Sequence, residues 1–233
     1  MNPDLRDSVA HVFVDQLGAP VLADNDRHHL GRVLRLRDGE SVTASDGRGR
    51  WRRCEWHDGD LRLVGDIVDT AAPSQRIGVA FAPVKGDRNE WAVQKLTEIG
   101  VDDIVLLAPT RRSVVRWSNV EKQMEKLRVV AREAAMQSRR TWLPTVSGLM
   151  SLADALSRPG AAVADPEGAP LASGAPSPTR TTIPALVIIG PEGGFDADEI
   201  PSSAARVSLG DTILRAETAT LVAATLLVAR RAQ

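Results

Sequence analysis

The sequence has 233 residues, of which 43% are hydrophobic and 25% charged, and its formal net charge is −1. This composition is typical of a globular protein of one large or two small domains, and no window approaches the ~18 uninterrupted apolar residues of a membrane-spanning helix. The polar N-terminal residues do not resemble a secretory signal, and a single cysteine, Cys54, excludes an internal disulfide framework. We therefore expect a cytoplasmic protein that does not insert into a membrane.

Residues 1–72 predict a small β-rich domain. Runs of β-forming residues (HVFV, SVTAS, WRRCEW and LRLVGDIV) alternate with turns that contain Gly and Asp. This pattern is typical of a small β-barrel or sandwich, and the segment TAAPSQ that follows is expected to be a linker. Adjacent His28 and His29 are expected to lie on a strand, where side chains alternate and cannot both reach one metal ion. Without a Cys/His cluster, we predict no metal site.

Residues 73–233 predict an α/β domain. Strand-like IGVAFAP, a helix from about Arg88 to Ile99 and strand-like DDIVLLAP alternate, which favours a mostly parallel sheet. Three residue pairs with the spacing of a capping box are expected to begin helices: Asp87 with Glu90, Ser118 with Glu121, and Asp196 with Glu199. One apolar stripe is expected along the second of these helices: Val120, Met124, Leu127, Ala131 and Ala134.

Basic residues are concentrated in a few segments. Between Pro109 and Trp142 nine Arg or Lys stand against three Glu, a local net charge of +6, and two smaller arginine clusters lie at 27–37 and 48–53. Such patches on a near-neutral protein indicate that a polyanion binds on one face, although an ordinary solvated surface would have the same composition.

The stretch ALVIIGPEGGFDADEI at 185–200 carries the most specific local signal. An apolar strand ends at Gly190, and Glu192 stands between Pro191 and the pair Gly193–Gly194. Glycine-lined loops at the ends of parallel strands let a ligand approach the backbone closely. The loop has neither the Lys-Ser/Thr of a P-loop nor the G-x-G-x-x-G spacing, which disfavours triphosphate and dinucleotide ligands.

Two further segments flank this loop. Residues 159–182 are rich in Pro, Gly, Ala and Ser and predict a mobile loop, except that AAVAD is expected to be a short strand ending at Asp165. Downstream, a strand VSL is followed by a helix from about Arg215 that is apolar around most of its circumference. This helix is predicted to join two copies of the chain, with Leu221 and Leu227 at a two-fold interface, and burial within its own domain is the alternative.

Six segments in order resemble the 16S ribosomal RNA uridine-N3 methyltransferase family of the SPOUT superfamily: HHLGRVLRLRDGE (28–40), KGDRNEWAVQKLTEIGV (85–101), RRSVV (111–115), AREAAMQSRR (131–140), IGPEGGFDADEI (189–200) and LGDTILRAETA (209–219). Two positions depart from the family pattern: Thr212 stands where Arg is common and Asn89 where Met is common.

The resemblance implies a PUA-like, RNA-binding β-barrel at 1–72 and a SPOUT methyltransferase domain at 73–233 with a C-terminal trefoil knot. It also implies S-adenosyl-L-methionine as the methyl donor, 16S ribosomal RNA or the 30S subunit as the substrate, and a homodimer. By position, the cofactor-binding residues are Ala164, Asp165, Ile189, Gly190, Pro191, Gly193, Gly194, Leu209, Gly210, Ile213 and Leu214.

Arg215 is the candidate for stabilising the developing negative charge on the uridine. The alternative is that Arg215 forms a salt bridge to Glu217 or to a neighbouring subunit. Glu192 is a candidate catalytic or loop-organising residue. The predicted RNA-binding residues are Arg32, Arg35, Arg37, Lys85, Arg88, Arg111, Arg112, Arg139 and Arg140. Two other functions stay open at this point, a SPOUT enzyme that methylates tRNA ribose and a non-catalytic RNA-binding factor of ribosome assembly.

Overall fold

The computed structural model describes residues 1–172 and 183–231, which form two compact units. The first unit contains Met1–Pro73 and Arg132–Leu143. The second contains Ser74–Ala131 and the described residues from Pro144 onward. The segment Arg132–Leu143, which lies far from residues 1–73 in the sequence, therefore packs with them.

The first unit is built on a four-stranded sheet with the order β1-β2-β3-β4. Its strands are β1 (Ala10–Phe13), β2 (Ser41–Ser45), β3 (Arg50–His57) and β4 (Asp60–Asp69). Strand β1 runs parallel to β2, and the other pairs are antiparallel. The four predicted β-runs are confirmed. Helix α1 (Pro3–Asp7) precedes the sheet, and α2 (Asp24–His28) continues directly into a π-helical turn, His29–Val33. The expectation that His28 and His29 lie on a strand is therefore wrong.

The segment Arg132–Leu143 is fixed to the first unit by buried polar contacts. Arg132 pairs with the buried carboxylate of Asp26 at 2.5 Å, and it also donates to the carbonyl of Phe13. The His11 ring, 2% exposed, bridges the Thr43 hydroxyl at 2.8 Å and the Arg140 carbonyl at 3.1 Å. Because these groups lie away from water, each pairing satisfies a polar atom that would otherwise be costly to bury.

The second unit is an α/β domain with a six-stranded sheet in the order β10-β8-β9-β5-β6-β7. Every neighbouring pair is parallel, which confirms the predicted sheet type. The strands are β5 (Gly78–Phe81), β6 (Asp103–Leu107), β7 (Thr145–Met150), β8 (Ala161–Pro170), β9 (Leu186–Ile189) and β10 (Arg206–Ser208). The helices are α3 (Arg88–Ile99), α5 (Leu152–Ser157), α6 (Ala216–Arg231) and α4 (Val120–Gln137), of which the part from Arg132 onward belongs to the first unit.

The apolar stripe of α4 is confirmed, since Met124, Leu127, Ala131 and Ala134 are each at most 4% exposed. At α3 and α4 the predicted capping boxes do not form. The Asp87 side chain makes no cap hydrogen bond, and Glu90 pairs instead with Lys126 at 2.6 Å. At α4 the side chain of Asn119, not Ser118, accepts the N–H of Lys122.

Helix α6 packs its small and apolar residues into the core of its own unit. Leu227 is fully buried there, together with Ala223 and Ala224. The prediction that Leu227 lies at a subunit interface is therefore wrong. Leu221 keeps partial exposure while packing against the same core.

The Pro- and Gly-rich stretch at 159–182 contains more structure than its composition predicts. Strand β8 extends to Pro170, five residues beyond the predicted end at Asp165, because its second half pairs with β10. The rest of the predicted mobile loop, residues 173–182, lies outside the described residues. Within residues 1–172 and 183–231, no helix has the length and apolarity needed to span a membrane.

Candidate active site

A cavity of about 530 Å³ lies in the second unit beside β8 and at the carboxyl ends of β9 and β10. Three segments that are distant in sequence form its wall, Val163–Pro166, Ile189–Ala197 without Gly193, and Leu209–Ala216 without Asp211. Ile200, Arg206 and Ala219 complete the lining. Each predicted cofactor-binding residue lines this cavity except Gly193, and the two predicted catalytic residues, Glu192 and Arg215, line it as well.

The glycine loop turns sharply where it borders the cavity. Gly194 has φ of +72°, a conformation that side chains disfavour, and its N–H donates to the Pro191 carbonyl at 2.8 Å. The Cβ position of Gly193 points towards Arg112 and not into the cavity. A Cβ atom on Gly193 would lie 3.1 Å from the Cβ of Arg112, so a side chain at this position would press on Arg112, whereas Gly193 does not line the cavity.

The residues after the loop form turns instead of the predicted helix. The Asp196 N–H donates to the Glu199 carboxylate at 2.9 Å, and the Glu199 N–H donates to the Asp196 carbonyl at 3.0 Å. Only the Glu199 half of a capping box is therefore present, since the Asp196 side chain binds Arg112 instead of the Glu199 N–H, and no helix follows. Pro201 comes two residues after Glu199, and proline disfavours helical backbone at the residue before it.

Asp165 and Arg206 form an ion pair in the cavity wall. The other oxygen of Asp165 accepts the Glu167 N–H at 2.9 Å. This backbone hydrogen bond, followed by the interaction with Arg206, holds the pKa of Asp165 below its usual value against the opposing effect of burial. Asp165 is therefore a fixed negative charge at neutral pH.

The charged residues around Arg215 do not form the Arg215–Glu217 salt bridge that was considered as an alternative. Glu217 binds Arg88 at 2.9 Å, so the Glu217–Arg215 salt bridge is not formed. Burial opposes ionisation of Glu217, yet its own backbone N–H, then Arg88 and then Arg215 keep its pKa below the usual range. Arg215 is exposed at the cavity and has no ion-pair partner among residues 1–172 and 183–231. Its guanidinium is thus available to a ligand.

The predicted RNA-binding residues fall into two groups. Arg32, Arg35, Arg37 and Lys85 are exposed, and their side chains have no hydrogen-bond or ion-pair partner within the described chain. The others have partners in the protein. Arg88 pairs with Glu217, Arg111 with Asp198, and Arg112 with Asp196.

Arg139 and Arg140 belong to the segment that packs in the first unit. Arg139 donates to the carbonyls of Met136, Ser8 and Val9 at 2.9–3.1 Å, and burial lowers its pKa. Arg140 is half-buried, and its carbonyl accepts from His11. These contacts give both residues a role within the first unit that sequence reasoning did not foresee.

Sequence reasoning also missed several residues of the cavity. Arg206 and Ala219 carry no motif of their own, and only the strand order brings Arg206 to Asp165. The two departures from the family pattern have distinct environments. Thr212 lines the cavity, whereas buried Asn89 exchanges hydrogen bonds of 2.9 and 2.7 Å with the backbone of Val84 before α3.

Comparison with known proteins gives consistent matches over nearly the whole chain. Residues 71–228 match the family described as RNA methyltransferase domain, and residues 22–55 match the RNA methyltransferase PUA domain. The chain is 33% identical over 232 residues to the ribosomal RNA small subunit methyltransferase E of Mycobacterium bovis, with 91% of this chain and 88% of the relative covered.

Two solved structures are similar throughout. One is a putative methyltransferase from Legionella pneumophila in complex with the bound cofactor SAM, with a TM-score of 0.79, 25% identity, and 94% of this chain and 97% of that chain covered. The other is a ribosomal RNA small subunit methyltransferase E from Neisseria gonorrhoeae bound to S-adenosyl methionine, with a TM-score of 0.76, 25% identity, and 92% and 94% coverage.

Proposed function

Because this chain belongs to the ribosomal RNA small subunit methyltransferase E family, we propose that it transfers a methyl group from S-adenosylmethionine to N3 of a uridine in 16S ribosomal RNA. The single observation that carries the proposal is the cavity of about 530 Å³ lined by the three predicted segments. The family's relatives with bound S-adenosylmethionine support the choice of methyl donor.

The residues of the cavity fit this methyl donor. The volume lies within the range of about 300–1,000 Å³ that is common for small-molecule sites. Ile189, Leu209 and Leu214 provide apolar surface for a flat base. The carboxylate of Glu192 complements positive charge, which suits a sulfonium or an amine.

When bound, S-adenosylmethionine supplies an electrophilic methyl group on a positively charged sulfur. The loops of the protein would hold the acceptor base next to that group, and such placement can supply most of the acceleration. Uridine N3 must lose its proton before it attacks, and the proton passes to solvent. We assign to Arg215 the stabilisation of the imide negative charge that develops, and this role is supported by its position in the cavity lining and by the absence of an ion pair to it within the described chain.

The exposed turn at residues 32–37 is the proposed RNA contact of the first unit. Arg32, Arg35 and Arg37 can bind phosphates, and Val33 and Leu34, which are 59% and 43% exposed, provide apolar surface beside them. This turn overlaps the match to the RNA methyltransferase PUA domain at 22–55.

Three finer features belong to the same proposal. From the resemblance, we propose that the C-terminal part of the second unit is threaded into a trefoil knot, that the chain acts in the cytoplasm, and that it is a homodimer. Partial exposure of Leu221 on α6 supports a subunit contact on that side of the helix. Leu221→Glu should then convert the dimer to a monomer in sedimentation at micromolar concentration, whereas Val129→Glu, at an exposed apolar position on α4, is the control.

The activity test uses 30S subunits and free 16S ribosomal RNA with methyl-labelled S-adenosylmethionine, followed by mass spectrometry of nucleosides. The proposal expects 3-methyluridine, with a loss of rate of about 100-fold or more for Arg215→Met. A 2′-O-methylated nucleoside, or labelling of tRNA alone, would support the ribose-methyltransferase alternative. Absence of any transfer together with intact RNA binding would support the assembly-factor alternative.

A further inference from the structure

Two segments of the second unit are cross-linked beside the cavity. One is the turn at Thr110–Ser113, and the other is the stretch Gly193–Glu199 that ends the glycine loop. Sequence reasoning assigned Arg111 and Arg112 of the first segment to RNA binding. The structure instead directs both side chains to acidic residues of the second segment.

Arg112 makes the closest of these contacts. Its Nε donates to the Asp196 carboxylate at 2.5 Å, and its Nη1 donates to the Gly193 carbonyl at 2.9 Å. One planar guanidinium therefore grips both a side chain and the backbone of the loop. The arginine stem lies directly against Gly193, where even a methyl group would approach Arg112 to 3.1 Å. Asp196 itself lines the cavity.

Arg111 also links the turn at 110–113 to the stretch 193–199. Its backbone N–H donates to Glu199, and its guanidinium binds Asp198 at 2.7 Å and lies 3.9 Å from the Asp196 carboxylate. The Arg111 and Arg112 side chains are 60% and 54% exposed. Exposed ion pairs contribute little to folding, because water screens them. The main consequence of the Arg112 contacts is therefore the position of the loop and not the stability of the domain.

We propose that Arg112 is a positioning residue that holds the glycine loop in its cofactor-binding conformation, an inference that rests on the proposed binding of S-adenosylmethionine in this cavity. Without Arg112, the Gly193 carbonyl and the Asp196 carboxylate lose their shared anchor. The loop must then be ordered when the ligand binds, and that ordering weakens affinity. Arg112 acts through the loop and touches no reacting atom.

The first test compares Arg112→Met with Arg116→Met in calorimetric titrations with S-adenosylmethionine. Arg116 is the matched control, because it is exposed four residues away and its side chain has no hydrogen bond or ion pair within the described chain. Arg112→Met should weaken binding by about tenfold or more while the thermal midpoint stays near that of the wild type. Arg116→Met should bind as the wild type does.

Two further variants separate loop positioning from a general effect on structure. Arg112→Lys, which can keep one of the two contacts but not both, should fall between the wild type and Arg112→Met. In the double-mutant cycle, Arg112→Met and Asp196→Asn should lose less affinity together than the sum of the single losses, because they break the same contact. Additive losses, or wild-type affinity in folded Arg112→Met, would overturn the proposal. If the wild type itself bound no S-adenosylmethionine, the proposed function would fail instead.

Discussion

The turn at 32–37 in the first unit and the turn at 110–113 in the second carry the same kind of charge but differ in what the charge contacts. Arg32, Arg35 and Arg37 extend into solvent, and their side chains have no partner within the described chain. Arg111 and Arg112 are bound to the carboxylates of residues 196 and 198. An arginine that already neutralises a carboxylate has less to gain from a phosphate. Local charge density alone therefore does not identify an RNA contact.

The largest effect expected from this comparison concerns RNA affinity. Arg32, Arg35 and Arg37 changed together to Gln should weaken RNA binding by about 100-fold at low salt. A plot of log affinity against log salt should become shallower by about 2 to 3 units, since each lost phosphate contact removes roughly 0.7–0.9. Affinity for S-adenosylmethionine should not change. Filter binding across a salt series measures both RNA quantities.

The double variant Arg111→Gln with Arg112→Gln is the counterpart in the second unit. Its RNA affinity should stay within about threefold of the wild type, and its slope should be nearly unchanged. A slope that fell as much per arginine as in the triple variant of Arg32, Arg35 and Arg37 would contradict the distinction between paired and unpaired arginines.

A second prediction concerns Arg139, the basic residue that donates to three backbone carbonyls of the first unit. Arg139→Met should lower the free energy of unfolding by about 2–3 kcal/mol, because those carbonyls lose a charged donor. Arg35→Met is a matched control, since both residues have positive φ, 59° and 55°, but Arg35 is exposed. Urea denaturation measures the difference. Equal stability of the two variants would mean that the hydrogen bonds of Arg139 do not stabilise the first unit.

An effect of comparable size is expected only at low pH, through the burial of the His11 ring. Burial lowers the pKa of His11 from 6.5 to about 4, so the unfolded chain takes up this proton more readily than the folded one. The contribution of neutral His11 to the free energy of unfolding is therefore fully present above pH 6.5. It is lost as the pH falls towards 4, by up to about 3 kcal/mol.

His11→Gln should remove this part of the pH dependence of unfolding, whereas His57→Gln, at an exposed position, should retain it. Denaturation midpoints at several pH values between 4 and 7 provide the measurement. The same pH dependence in His11→Gln and in the wild type would exclude His11 as its source.

Much of the fold follows from local patterns in the sequence. The four β-runs before residue 70, the helix at 88–99 and the parallel sheet were predictable because alternation and apolar spacing are local signals. The segment 132–143 was not predictable as part of the first unit, since its packing depends on contacts such as Arg132 with Asp26, more than 100 residues apart. The helix expected after Asp196 failed because Pro201 competes with the capping signal.

In the site, too, some features could be predicted from the sequence and others depend on contacts between distant residues. The three segments of the cavity could be placed by resemblance, and they do meet in one wall. The orientation of Gly193 towards Arg112 could not be foreseen, because a glycine has no side chain whose chemistry would indicate a partner. Arg206 was missed for a related reason, since only the pairing of β10 with β8 brings it to Asp165. Leu227 was misplaced because an apolar helix has the same sequence pattern whether it packs on its own core or on another subunit.

Amide hydrogen exchange with and without S-adenosylmethionine tests the central claim most directly, because it compares the two units in one experiment. We expect slower exchange in peptides that cover residues 189–196 and 209–215 when the ligand is present, since both segments line the cavity. Peptides that cover residues 28–40 of the first unit should exchange at the same rate in both samples. Protection at 28–40 without protection at the glycine loop would contradict the assignment of the cavity as the methyl-donor site.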